Sequence, residues 1–312
     1  MGRHLAAEDE LQRGRHLEPG LAGAQGEGGG WGDENKVGKA TPGIGRAPTW
    51  DGIEAEYTKA VNEGATAEVN FKTKNLNIWV RQAKTWITDA VWMRGARPAS
   101  HESLKGRRCF AAADLSSRRD LSCFGLLFPP MPESKDFVFL QTSYCPAENI
   151  EQRSRQDGVP YQQWAADGDL VATPGNVIDY EYIEQDILQA HGAYQLEKLN
   201  YDPAFATEIM TRLAEKGVPV QEFTQYYKNF NRAITELDKL TTEGRLVHGG
   251  DPVLRWCAGN VAIKRNATGL QMFDRANSKE KIDPMVVLAM CLAGYLTWLE
   301  GGNDNTIRMS FF

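Results

Sequence analysis

Three aspartates stand where elements meet. Asp114 closes the apolar run Cys109–Ala113, Asp202 follows Gln195–Tyr201, and Asp283 precedes the apolar run Pro284–Leu299. Each has an ordinary explanation. Asp is common in turns, which suits Asp114. Asp202-Pro203 and Asp283-Pro284 both suit helix starts, because Asp accepts backbone N–H bonds and proline is preorganised for a first turn. Brought to one place, the three would do something else. Converging carboxylates repel one another unless a hard cation lies between them, and oxygen ligands of this kind suit Mg²⁺ or Mn²⁺. Two such ions about 4 Å apart activate a water and stabilise the leaving oxygen in phosphodiester cleavage.

The elements that would position them are legible in outline. Cys109–Ala113 and Leu121–Phe128 flank a polar turn, the pattern of a β-hairpin with buried strands, with Asp114 at its lip. Phe137–Tyr144 reads as a third strand, 147–156 as a short polar helix, and 171–177 as a strand. Asp179 is placed to cap a helix over 180–190. Strand 195–201, helix 204–216, strand 218–223 and helix 232–243 then alternate, with Gly217 and Gly244 ending the helices. Such alternation implies parallel pairing by right-handed crossover. A hairpin followed by parallel units predicts a mixed α/β sheet with helices on both faces. The C-terminal ends of neighbouring parallel strands share one edge, where open α/β sheets bind ligands. Asp114 and Asp202 are expected there, beside a buried helix over 284–299 that is apolar all round.

Composition bounds the function. The net charge of −6 argues against a protein that coats nucleic acid, yet is compatible with a carboxylate-rich nuclease. Five cysteines, odd in number and never in a CxxC pair, argue for a reducing compartment and against a zinc site. The N-terminal stretch has no apolar core of a secretory signal. The charge-free run Met285–Leu299 is shorter than the roughly 20 residues that a bilayer requires, so no membrane is expected and the location is read as cytoplasmic. Residues 1–48 hold twelve of the thirty glycines with almost no apolar period, and read as disordered. GDENKVGKAT, from Gly32, has five residues between its glycines and Ala40 after the lysine, so it is no phosphate loop, and no nucleotide site is assigned. A helix over 75–92 carries Leu76, Trp79, Val80, Ala83, Ile87 and Val91 on one stripe.

The stretch AAADLSSRRDLSCFGLLF resembles the first hairpin of the nuclease domain of tailed-phage terminase large subunits. So do VPYQQWAADGDLVATPGNVIDYEYIEQDI, NYDPAFATEIMTRLAEKGVPVQEF, LDKLTTEGRLVHGGDPVLRWCAGNVAIKRN and SKEKIDPMVVLAM, in the same order. FKTKNLNIWVRQAKTWI is similar to the connector that ends the motor domain of that family. The likeness spans roughly residues 50–300. It implies a ribonuclease-H-like fold and a two-metal DNA endonuclease that cuts concatemeric viral DNA during packaging, in the cytoplasm of a bacterial host. The acidic ligands of the family, for two Mg²⁺ or Mn²⁺ ions, fall on Asp114, Asp202 and Asp283. Asp120 and Lys281 are secondary candidates, the lysine for phosphate or for orienting a carboxylate, against readings as a turn residue and a surface charge.

The implied organisation is a Gly-rich leader over 1–48, a helical connector over 49–106, a nuclease domain over 107–302 and a tail over 303–312. The implied partners are double-stranded DNA and a portal protein, small terminase subunit or separate ATPase chain. Two departures stand out. The packaging ATPase of the family is missing, its place taken by the glycine-rich leader, and Asn277 stands where relatives often carry lysine before the SxxKID segment. A catalytically inactive prophage remnant that only docks, or another ribonuclease-H-like enzyme such as a junction resolvase, are the alternatives.

Overall fold

The computed structural model of the chain describes residues 49–62, 71, 75, 86–115, 121–278 and 280–301. The leader, the Gly32 segment, most of the 75–92 stripe, Asp120 and the tail lie outside those residues. The chain divides into two units between Lys84 and Thr85, inside the stretch 49–106 that the sequence groups together. In the smaller unit, helix α1 (Trp50–Asn62) presents Ile53, Tyr57 and Ala60 on one face. Phe71 packs on that face, its ring edge-on to Tyr57 at 5.5 Å.

In the larger unit two one-turn helices, α2 (Asp89–Trp92) and α3 (His101–Leu104), precede strand β1 (Arg108–Asp114). There follow β2 (Ser122–Phe128), β3 (Phe137–Pro146), α4 (Ile150–Asp157), α5 (Tyr161–Asp167), β4 (Val171–Thr173), α6 (Tyr180–Ala193) and β5 (Gln195–Tyr201). The chain continues through α7 (Thr207–Glu215), β6 (Val220–Glu222), α8 (Tyr227–Thr242), β7 (Leu246–Val247), α9 (Pro252–Asn260), β8 (Ile263–Arg265), β9 (Gln271–Phe273) and α10 (Asp283–Glu300).

The described strands form one mixed sheet in the order β4-β3-β2-β1-β5-β6, with β7 also on β3, and β8–β9 make a separate hairpin. β1 pairs antiparallel with β2 and parallel with β5, which pairs parallel with β6. The hairpin strand therefore lies beside the first of the parallel strands, as expected. Both faces are covered, which is why β2 is buried at every position. Alternate residues of β1 divide between two cores: Phe110 and Ala112 face α10, while Cys109, Ala111 and Ala113 face α6 and α7.

α10 is the central helix of the larger unit. It is buried from Asp283 through Leu296, so its sequence is apolar all round. By length and composition it is able to cross a membrane, and 83% of that span is buried in this fold. It lies close on the sheet because β2 offers a glycine beneath it. A Cβ at Gly125 would stand 2.7 Å from Val287 Cγ1 and 2.8 Å from the Phe139 ring. Gly125→Ala is therefore expected to cost about 1–3 kcal/mol through overpacking. A urea melt reads that cost, and an unchanged midpoint would show that the sheet and helix have room to part.

Several boundaries differ from the sequence reading. β4 stops at Thr173 instead of Val177, because Pro174 and a left-handed Gly175 turn the chain. α7 begins at Thr207, after the turn at Asp202, and α8 begins at Tyr227, five residues before Arg232. α5, α9 and the β8–β9 hairpin lie outside the elements read from the sequence. They are seven, nine and three residues long.

Candidate metal centre

Strand alternation places the aspartates. Phe110 and Ala112 point toward α10, so Asp114, two residues on, points the same way at the C-terminal end of β1. On β5, Asn200 faces α10 and donates from Nδ2 to the Met290 carbonyl at 2.8 Å, while Leu199 and Tyr201 face the other core. The same alternation carries Asp202 to the α10 side. Asp283 meets them from above as the first residue of α10.

Two of the three aspartates share one cation, and that cation is part of the chain. Arg275 Nη2 donates to Asp114 Oδ2 at 2.5 Å, and its Nη1 donates to Asp283 Oδ1 at 3.3 Å. Both carboxylates are buried, with side chains 10% and 11% exposed, while that of Arg275 is 49% exposed. Gln225 Oε1 accepts from Arg275 Nη2 at 3.4 Å. Asp202 is half-buried, and its Oδ1 accepts the Ala204 N–H at 2.9 Å. Its charge acts on Asp114 and on Arg275.

Burial pushes the Asp114 carboxyl above its ordinary value of 3.8. The charge and hydrogen bond of Arg275 oppose this, and the charge of Asp202 adds to it. Burial disfavours the Arg275 cation, but the charges of Asp114, Asp283 and Asp202 outweigh that and hold it more firmly protonated than usual.

The donor set fits a hard divalent cation. It is all carboxylate oxygen, and a cation already stands between Asp114 and Asp283. Among the described residues no three His, Cys, Asp or Glu side chains surround a single point in this arrangement. Asp114 and Asp283 are the pair in hand, and Asp202 stands beside them.

The helix-start readings divide. Asp179 caps α6, accepting from the Glu181 N–H at 3.0 Å. Asp202 makes a local turn bond, while the N-cap of α7 is Ala206. Asp283 sits inside α10, behind an N-cap at Ile282, and accepts from Arg275. Lys281 precedes it by two residues, with its carbonyl accepting from Asn260 Nδ2 at 3.1 Å. Asn277 bonds its own turn, donating from Nδ2 to Asp274 Oδ2. All five cysteines are buried and none is in a disulfide.

Sequence reasoning missed Arg275 and Gln225. Neither belongs to a periodic element, and they lie 161 and 111 residues from Asp114, so no spacing points to them. It also missed a polar row beside the site. Cys123 pairs with Asp114 across β1–β2 and with Ser143 across β2–β3. Ser143 Oγ donates to Gln141 Oε1, and Gln141 Nε2 donates to Asp251 Oδ2, both at 2.7 Å. Asp251 caps α9 through the Leu254 N–H at 2.8 Å, tying that helix to the sheet. A cavity of about 360 Å³ lies on the opposite face among α3, α6, β2 and β3, and holds none of the three aspartates.

A mixed sheet flanked by helices, with carboxylates gathered at the edge of its parallel strands, defines the ribonuclease-H-like class. The model of the terminase large subunit endonuclease domain matches residues 29–297, and the chain belongs to that family. It is 30% identical over 248 residues to the terminase large subunit of Enterobacteria phage HK97, covering 77% of this chain and 48% of that protein. Protein YmfN of Escherichia coli strain K12 is 27% identical over 278 residues, covering 85% and 60%. The crystal structure of the HK97 bacteriophage large terminase superimposes with a TM-score of 0.62 at 26% identity, covering 84% of this chain and 54% of that one. The chain thus spans less than two thirds of these relatives.

Proposed function

We propose that the chain is a metal-dependent DNA endonuclease that cuts concatemeric viral DNA during genome packaging in the host cytoplasm. One observation carries this reading. Two buried carboxylates from distant segments share a cation at the strand edge, with a third aspartate alongside. Family membership supports the same reading and names the reaction class.

In this reading Asp114, Asp283 and Asp202 hold two Mg²⁺ or Mn²⁺ ions. When bound, the ions supply an activated water and charge neutralisation at the phosphodiester. The chain supplies placement. Asp114 is fixed by β1, which is paired on both sides, and Asp283 by the first turn of the buried helix. Arg275 brings a cationic side chain to these carboxylates, and Lys281 lies two residues before Asp283 in sequence; both are suited to the phosphate backbone. No GxxxxGK[ST] loop occurs in these 312 residues, so the energy for DNA translocation comes from outside them, and a portal protein, a small subunit or an ATPase chain is the partner.

Supercoiled plasmid tests the reading. With Mn²⁺ the purified protein is expected to give nicked and linear forms, and with chelator none. Intact plasmid in both would leave a docking module in place of a nuclease. A strong preference for four-way junctions over linear duplex would point to a resolvase instead.

A further inference from the structure

We propose that Arg275 is an internal counter-ion of the metal centre, holding the ligand pair in register while no ion is present and yielding the same space to a divalent cation. The inference rests on the metal-site reading above and adds to it a residue that sets how tightly the ion is held.

The geometry assigns two nitrogens of one guanidinium to two different carboxylates: Nη2 to Asp114 at 2.5 Å and Nη1 to Asp283 at 3.3 Å. A clamp of this kind is charge-assisted at both ends. It stands where those two oxygens could share an ion, so guanidinium and ion exclude one another. The carboxylates cannot easily move, since one ends a central strand and the other lies in the first turn of a buried helix. Arg275 can. It sits in the turn after β9, where the Asn277 and Ser278 N–H groups bond the Asp274 carbonyl, and half its side chain is in solvent. Withdrawal therefore disturbs no core packing. Arg275 is the cation that these two carboxylates share, so it positions them relative to one another until they are filled.

A side chain that must leave before an ion can enter weakens the apparent affinity for that ion by the fraction of time the site is open. Mn²⁺ binding to the full chain, followed by the EPR signal of free Mn²⁺ at constant ionic strength, reads this directly. Arg275→Gln is expected to bind Mn²⁺ about tenfold more tightly than wild type, as for a site that Arg275 leaves open about one tenth of the time. Arg275→Lys, whose ammonium cannot bridge both carboxylates, should fall between. In chelator Arg275→Gln should melt below wild type, and Mn²⁺ should raise its melting temperature by more. A residue that only braced the loop would give the opposite affinity change, since a loosened site binds ions less well. Equal or weaker Mn²⁺ binding by Arg275→Gln, with wild-type binding that Asp114→Asn abolishes, would overturn this inference and leave the metal site standing. No saturable Mn²⁺ binding by wild type or either variant would overturn both. If Arg275→Gln does not fold, Arg275→Lys decides, and affinity no tighter than wild type counts against the proposal.

Discussion

Alanine at Asp114, Asp202 or Asp283 is expected to lower Mn²⁺-dependent plasmid nicking by roughly a thousandfold or more, about 4 kcal/mol of transition-state stabilisation. Each ligand does two things, setting where an ion sits and balancing its charge, so the loss of any one disturbs both. The variants should differ in stability. Asp202→Ala forfeits the Ala204 N–H bond, whereas Asp283→Ala forfeits the bond from Arg275. Its cost falls on Arg275, left with Asp114 as its remaining charged partner. Circular dichroism melts separate the two effects, since activity should vanish in variants that remain folded at the assay temperature. Full nicking by any one variant would remove that residue from the site.

The second large effect is the response of stability to metal and pH. The folded-state carboxyl of Asp114 is raised above 3.8 by burial and by the Asp202 charge, despite Arg275. A raised acid stabilises the fold below its unfolded value, and that contribution is lost as pH rises through the folded value. Without metal, wild type should therefore lose stability relative to Asp114→Asn as pH rises from below 3.8 toward neutral. Asp114→Asn keeps the shape and removes the charge, and Arg275 retains Asp283 as a partner. In chelator at neutral pH it should melt above wild type. Mn²⁺ at about 100 times its dissociation constant stabilises wild type by about 2.7 kcal/mol. For a unit of this size that is roughly 5–10 °C. Asp114→Asn should show little of this rise. Identical melting of wild type and Asp114→Asn, with and without Mn²⁺, would mean that the aspartates do not form one site.

Much of the frame is determined by local chemistry. Two apolar runs around a polar turn make β1 and β2, and the strand–helix alternation after residue 195 makes β5 parallel to its neighbours. Residues 284–299, apolar all round, have no solvent-compatible face, so they form the buried helix wherever the chain places it. The placement of Asp114, Asp202 and Asp283 at element ends follows from the same patterns.

Tertiary structure decided what those aspartates touch. Whether Asp283 caps a helix or meets a cation depends on what lies in front of α10, and that is Arg275, from the turn after a short hairpin that shows no period. Whether Asp114 faces α10 or α6 is settled by pairing register, since one residue of slip would turn it to the other core. The gap left by Gly125 for Val287 likewise exists only once helix and sheet are packed. Local sequence sets periodicity and turn chemistry, which act over a few residues. The charge balance of the site sums over segments more than 160 residues apart, and only the folded sheet brings them within hydrogen-bond distance.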